Sequence, residues 1–473
     1  MDKQLWKTDK SLYRRTFEAI DEIKGPLVFL KAMPEAMYGG IIEIIQEDGT
    51  HRVAQIIDAS DKAIIAQVFE GTYNLERRGT LIFQYEDIFH MPVSDAMLGI
   101  PLSGLGEPLD PTILISPVKY LDVTSNPINP SARDIPRSPI ETGIPAIDCM
   151  NTLVKGQKLP IFTAPGLPAS QLAVTIAQYI ASNDQLDLYV VFGAMGITQR
   201  EGKYYQEQLG QVTGSDKIAF FLNFIEHPTV ERILTPRCAL TYGEYLAFEQ
   251  GHDVLVILSD MLNYAQSLRE VAAAREEIPG RRGYPGYLYT DMASIYERAG
   301  RIRNKPGSLT QIPVVTMPNS DITHPVPDLT GYSTEGQIVL STQLYYKDIT
   351  IPIDVSPSLS RLMNSGIGEG FTRGDHKAVS NQLYAVYSEG RRLQDLSQIT
   401  GEESLTNVEK LYLSFVDLFE QKFLQQTGLS FAESLDLGWK LLGILPQDEL
   451  SRIPVKLLEH YYRPYTLSEL EAM

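Results

Sequence analysis

Residues 253–260 read Asp-Val-Leu-Val-Ile-Leu-Ser-Asp, five apolar side chains in succession with a carboxylate at either end. A half-buried strand alternates apolar and polar residues, so a run that is apolar on both faces predicts a strand covered on both sides, as in a parallel sheet flanked by helices. The chain around it supplies that setting. Lys158–Ala164 and Leu188–Phe192 are further apolar strand candidates, and Ser170–Ala181 between them has helical spacing. Alternating strands and helices predict an α/β domain.

The flanks have a different character. From Thr16 to about Ile100, short β-rich runs (Thr16–Ile23, Ile41–Gln46, His51–Asp58, Lys62–Phe69) are separated by Gly25-Pro26, Glu47-Asp48-Gly49 and Gly71. This turn spacing predicts a small antiparallel β-barrel. Between Pro101 and Pro139 stand eight of the 29 prolines, each lacking a backbone donor and fixing φ, so this stretch reads as a crossing segment without long elements. From about Asp375, Val379, Leu383, Val386 and Tyr387 fall on one helical face, and Leu411, Phe415, Leu418, Phe419 and Phe423 on another, which predicts a helical bundle. The expected division is a barrel over residues 1–100, the crossing segment and α/β domain over 101–374, and a helical domain over 375–473.

Composition narrows the function. With 41 Lys+Arg against 59 Asp+Glu, the formal charge of −18 repels a phosphate backbone and argues against nucleic-acid binding. Cys149 and Cys238 are too few for a disulfide framework or a zinc site and read as buried thiols. No stretch approaches the roughly 18 apolar residues of a spanning helix, and Met1–Trp6 opens no apolar leader. The expectation is a cytoplasmic protein, peripheral to any membrane it serves, with no metal held by its own ligands. The seven histidines make no His-x-x-x-His pair.

Thr163-Ala164-Pro165-Gly166-Leu167-Pro168-Ala169-Ser170 lies between a strand and a helix, where an α/β NTPase carries its phosphate loop. A working loop ends Gly-Lys-Ser/Thr, because the lysine reaches the β- and γ-phosphates and the hydroxyl holds magnesium. Here Pro168 and Ala169 occupy the Gly-Lys places and only Ser170 survives, so the residues alone allow either an ordinary turn or a degenerate nucleotide loop. Asp260, after the apolar strand, matches a magnesium-directed carboxylate, as would any buried strand ending in Asp. Arg281, Arg282 and Tyr284 sit in a Gly/Pro-rich loop that reads as a solvated turn or as an anion- or subunit-contacting loop. In Ser358-Leu359-Ser360-Arg361-Leu362-Met363 a lone arginine stands among apolar residues, which on sequence alone favours a structural ion pair.

Taken in order, the runs Pro127–Arg133, Thr142–Asp148, Leu268–Val271 with Arg281–Gly286, Tyr296–Arg301, Asp321–Pro325 with Asp328–Tyr332, and Pro357–Met363 resemble the non-catalytic B subunits of V-type and archaeal-type ATPases/ATP synthases. The resemblance spans roughly Thr16 to Tyr462. It implies a barrel in the ring's crown, a RecA-like nucleotide-fold domain and a helical C-terminal domain. It also implies an alternating hexamer with catalytic A subunits, contacts with central and peripheral stalks, and an indirect link to a membrane sector moving H⁺ or Na⁺. ATP/ADP and Mg²⁺ then lie at the interface with the partner, none held by this chain alone. Ser360 and Arg361 approach that nucleotide, with Arg361 as an arginine finger in trans, displacing the ion-pair reading. The lysine-free Thr163–Ser170 loop agrees with B chains. Gly193–Ile197 lacks the glutamate that the catalytic paralogue carries there, and Gly366 replaces a usual alanine, which implies a looser turn after Arg361.

Two rivals remain from the residues. A self-sufficient ring NTPase needs a lysine where Ala169 stands, and a barrel-based nucleic-acid binder needs a basic aromatic groove in place of Glu47-Asp48.

Overall fold

The computed structural model describes residues 15–472 except 18–19, 34, 61–62, 125–126 and 184. The Met1–Trp6 stretch and Lys62 lie outside the described residues.

The N-terminal sheet has seven strands: β1 (Arg15–Phe17), β2 (Ile20–Lys24), β3 (Leu27–Lys31), β4 (Gly40–Ile45), β5 (His51–Ala59), β6 (Ala63–Val68) and β7 (Leu81–Ile88). All its pairs are antiparallel, in the order β1-β7-β4-β5-β6-β3-β2. Its edge strands β1 and β2 follow one another in the chain, and three virtual bonds span at most about 11 Å. The two edges are therefore tethered together and the sheet is rolled. Period-two alternation fills the inside, with Ala54 and Ile56 of β5 and Ile64, Ala66 and Val68 of β6 in one apolar cluster. Gln55 and Gln67, which lie opposite each other across β5 and β6, point to the other face.

Compactness assembles two bodies, each from two separate stretches of chain. The first, residues 1–129 and 189–298, holds this barrel together with strands Asp253–Ser259, Leu188–Ile197, Ile218–Phe224 and Pro101–Ser103 in that spatial order. The last three pair parallel. The run that predicted a doubly covered strand is one: Val254 to Leu258 are all 0% exposed. Helices Thr229–Glu244, Met261–Ala274 and Leu288–Tyr296 belong to this body.

At its centre lies Arg298, 1% exposed. Its Nε and Nη2 donate to Glu244 Oε1 and Oε2, each at 2.7 Å, and Nη2 also donates to Thr241 Oγ1 at 2.8 Å. Nη1 donates to the carbonyls of Val123 and Arg237 at 3.3 and 3.2 Å. A buried guanidinium is tolerable because a carboxylate and three further acceptors replace its water.

The second body, residues 130–188 and 299–473, holds strands Ile353–Ser360, Gly336–Leu340, Ile161–Thr163 and Ser308–Thr316 in that order, the first antiparallel to its neighbour and the others parallel. Helix Ala169–Ser182 follows Ile161–Thr163, close to the expected Ser170–Ala181. The C-terminal part is helical as expected: His376–Thr400, Asn407–Leu418, Phe431–Leu442, Val455–Tyr461 and Leu467–Glu471. Phe415, Phe419 and Phe423 stack in sequence at centroid separations of 5.7 and 4.8 Å inside it. Among the described residues no helix is long and apolar enough to cross a membrane.

Candidate functional site

Arg361 follows directly on the strand Ile353–Ser360, whose end lies opposite Gly336. Alternation turns Ser358 and Ser360 inward and leaves Leu359 and Arg361 exposed. The Ser360 hydroxyl donates to the Thr152 carbonyl and accepts from Gln157 Nε2, both at 2.9 Å. Gln157 Nε2 also donates to the Glu335 carbonyl at 3.0 Å, and that same carbonyl accepts the Arg361 backbone N–H at 3.0 Å. The Glu335 carboxylate in turn accepts from the Lys158 backbone N–H at 2.8 Å and from Lys158 Nζ at 2.9 Å. The main chain beneath Arg361 is thus fixed by residues some two hundred positions earlier.

The guanidinium itself is exposed and, among the described residues, carries no hydrogen bond or ion pair. The structural ion pair that sequence alone favoured is not formed. A charged fork on a fixed main chain, with no partner among the described residues, suits an oxyanion brought from outside. Ser360 does not share that exposure. At 5% exposed and with its hydroxyl engaged on both sides, it supports the base of Arg361.

The degenerate loop connects strand Ile161–Thr163 to helix Ala169–Ser182. Pro165 and Gly166 are exposed at its tip, and Gly166 has φ +85°. Thr163 is buried, with its hydroxyl donating to the Ala164 carbonyl at 3.0 Å and its own carbonyl accepting from Met317. Pro168 caps the helix without an N–H. The Ala169 N–H donates to the Leu167 carbonyl at 2.9 Å, and Ala169 is 5% exposed, so the lysine position is occupied by a packed methyl. Ser170 is half-buried on the first turn. Two of the donors that would cradle a phosphate are therefore missing or spent inside the loop.

Asp260 accepts from the Leu262 N–H at 2.8 Å and caps helix Met261–Ala274. Gly193–Ile197 forms the end of strand Leu188–Ile197, where the Asn263 amide donates to the Met195 carbonyl at 2.9 Å and the Gly196 N–H donates to Asn223 Oδ1 at 3.1 Å. Amides hold this strand end, and an amide cannot act as a general base. The Thr163–Ser170 loop by itself, lacking the lysine, does not fit the phosphates of a Mg²⁺–ATP site.

In the loop after Gly280, Arg281 and Arg282 are exposed, whereas Tyr284 is 3% exposed with the Arg269 guanidinium 5.3 Å from its ring centroid. Tyr284 anchors the loop to its own body. It is the two arginines that the loop presents.

Gly366 ends the helical turn Met363–Gly366, and a Cβ there would stand 2.9 Å from Val154 Cγ2. The expected loosening is reversed: the glycine allows the turn after Arg361 to press onto Val154, a side chain with little rotamer freedom. Gly366→Ala should lower the stability of the chain by about 1–3 kcal/mol, and Gly366→Ala with Val154→Ala should recover part of it. A urea titration of the two variants checks this, and an unchanged midpoint for Gly366→Ala would refute it.

One further group orders this body. Asp148 accepts from the Thr142 N–H and hydroxyl at 2.9 and 2.7 Å and from the Gly143 N–H at 2.9 Å. Burial pushes its carboxyl up to about 8, while those three donors pull it down. It binds its own turn shut.

Comparison with known proteins accounts for these pieces together. Residues 143–360 match the model of the ATP synthase alpha/beta family, nucleotide-binding domain; residues 20–83 match that family's beta-barrel domain; and residues 365–462 match the C-terminal domain of V and A type ATP synthase. The chain is also similar to the solved structure of NeqB, described as a unique ATP synthase subunit from Nanoarcheaum equitans, with 38% identity over 89% of this chain and 100% of that one and a TM-score of 0.71. With barrel, parallel-sheet nucleotide-binding domain and helical C-terminal domain all accounted for, the chain belongs to the ATP synthase alpha/beta family, in its V- and A-type branch.

Proposed function

We propose that the chain is the non-catalytic B subunit of a V/A-type rotary ATPase or ATP synthase. In this reading it alternates with three catalytic A subunits, and Arg361 reaches the ATP bound on the neighbour. The observation that carries it is the exposed guanidinium on a fixed main chain, without a partner among the described residues, in a chain whose own phosphate loop lacks the lysine. As the β–γ bond breaks, charge builds on phosphate oxygens, and a pre-positioned guanidinium that stays charged stabilises that state at little reorganisation cost. Mg²⁺ and the phosphate-cradling loop come from the partner, which fits the helix-capping duty of Asp260. ATP turnover is then coupled, through stalk subunits, to H⁺ or Na⁺ movement in a membrane sector.

Purified alone, the chain should hydrolyse ATP no faster than background, since loss of even one transition-state donor costs about 10²–10³ in rate. Mixed with a partner carrying a Gly-Lys-Ser/Thr loop, it should form an alternating hexamer and turnover should appear. Robust hydrolysis by the partner-free chain would overturn the reading in favour of a self-sufficient NTPase.

A further inference from the structure

Within the first body, a cavity of about 680 Å³ lies between the outward face of β5 and β6 and the helices Thr229–Glu244, Met261–Ala274 and Leu288–Tyr296. That volume is in the range of small-molecule sites, and its place between two structural layers is where such sites concentrate. It includes neither Arg361 nor any residue of the Thr163–Ser170 loop.

Its walls define what could enter. Ile233, Leu234, Leu268 and Val271 line the helical side, and Tyr38 and Tyr287 stand among the lining residues as rings. The charged lining residues are already matched to each other: Arg237 with Asp291 at 2.5 Å and Arg275 with Glu277 at 2.8 Å. A charged ligand would have to break one of these pairs, which leaves a poorly solvated charge behind and is strongly unfavourable. The cavity therefore selects a neutral, mainly apolar molecule.

Among the described lining residues, one enclosed side-chain polar atom has no partner. Gln67 lines the cavity, is 7% exposed, and its carboxamide makes no hydrogen bond among the described residues, with Nε2 enclosed and lacking any acceptor. Across the strands its neighbour Gln55 is occupied, donating to the Gly39 carbonyl at 3.3 Å. An amide held out of water without a partner is destabilising, so a glutamine at this position of β6 is a poor choice for packing alone. A hydroxyl can both donate and accept, so it satisfies whichever end of the carboxamide faces the cavity.

We propose that this cavity is a binding site for a neutral apolar molecule bearing a hydroxyl, of phenol or fused-ring alcohol type, with Gln67 as its hydrogen-bonding residue. The site is independent of the ATP reading and stands or falls separately from it.

The test titrates the full chain with 1-hydroxypyrene and with pyrene, following probe fluorescence. One 1-hydroxypyrene per chain is expected to bind. Gln67→Leu, which keeps the shape and removes the amide, should weaken 1-hydroxypyrene about tenfold, the equivalent of one hydrogen bond, and leave pyrene unchanged. Ile233→Trp, on the half-buried helical wall, puts an indole into the cavity and should weaken binding of both probes. Absence of 1-hydroxypyrene binding to the unaltered chain would overturn the proposal, as would equal losses for both probes in Gln67→Leu. Unchanged binding in Ile233→Trp would overturn it too. Thermal melts of both variants confirm that they are folded, and the Gln67→Leu contrast between the two probes does not depend on Ile233→Trp folding.

Discussion

Reconstituted rings carrying Arg361→Ala should assemble and bind nucleotide like unaltered rings, and turn over ATP about 10³–10⁵ times more slowly, a loss of roughly 4–7 kcal/mol of transition-state stabilisation. The split between binding and turnover follows from where the side chain stands. Arg361 is exposed and, among the described residues, its side chain makes no hydrogen bond or ion pair, so its truncation removes none of those contacts. Exposed substitutions of that kind stay within about 0.5 kcal/mol of neutral. Arg361→Lys should restore little, since a single ammonium cannot reproduce a planar fork of donors. Gln157→Leu makes an informative companion: it leaves the guanidinium in place but removes the amide that joins Ser360 to the Glu335 carbonyl, so turnover should fall while the charge remains. The measurement is kcat and nucleotide affinity on purified hexamers. Turnover near the unaltered rate in correctly assembled Arg361→Ala rings would remove the residue from the mechanism.

The second large effect concerns Arg298. Arg298→Ala should destabilise the chain by about 3–5 kcal/mol, because it leaves the part-buried Glu244 carboxylate without the guanidinium and removes the donors to the Val123 and Arg237 carbonyls. Arg298→Lys should recover less than half, since one ammonium cannot span both carboxylate oxygens, the Thr241 hydroxyl and two carbonyls. Replacing the pair together, Arg298→Met with Glu244→Met, should be much milder than Arg298→Ala alone, because no charge is then stranded. Urea unfolding midpoints at constant m-value report these differences. A cost under about 1 kcal/mol for Arg298→Ala would show that water reaches and solvates the site.

Local pattern made much of this fold legible. The apolar run at 254–258 and the helical spacing of 170–181 correspond to elements found within a residue or two, because burial on two faces and a 3.6-residue stripe each leave a mark in a short window. The strand expected to stop at Phe192 continues to Ile197 through Gly193 and Gly196. Glycines read as breakers from sequence, yet at Gly193 a Cβ would stand 3.1 Å from Leu258 and 3.2 Å from Ala239, so the residue there serves close packing. In the barrel, Leu27–Lys31 escaped notice because it follows directly on the turn at Gly25-Pro26.

The site was less legible than the fold. The lysine-free loop could be picked out from a short motif, whereas the motif around Arg361 alone favoured an ion pair and only the family resemblance pointed it at a nucleotide. The support under Arg361 could not, since Gln157 and Ser360 are 203 positions apart and no local pattern links an amide to a hydroxyl at that distance. Tyr284 looked like a surface aromatic because its neighbours are glycine, proline and arginine, and only the packing of Arg269 on its ring shows it to be an anchor.

The interleaving of the two compact bodies also bears on how the chain is made. Residues 130–188 leave the ribosome first, but the remainder of their own body begins at residue 299, after the whole of 189–298 has been synthesised. At about 5–20 residues per second that delay is on the order of 6–20 s. Throughout it, strand Ile161–Thr163 lacks both parallel neighbours, Ser308–Thr316 and Gly336–Leu340, and the apolar face of helix Ala169–Ser182 lacks the packing that the later stretch provides. The order of synthesis thus opens a window for wrong pairing in the very segment that carries the degenerate loop, and closes it only when Gly336–Leu340 has emerged.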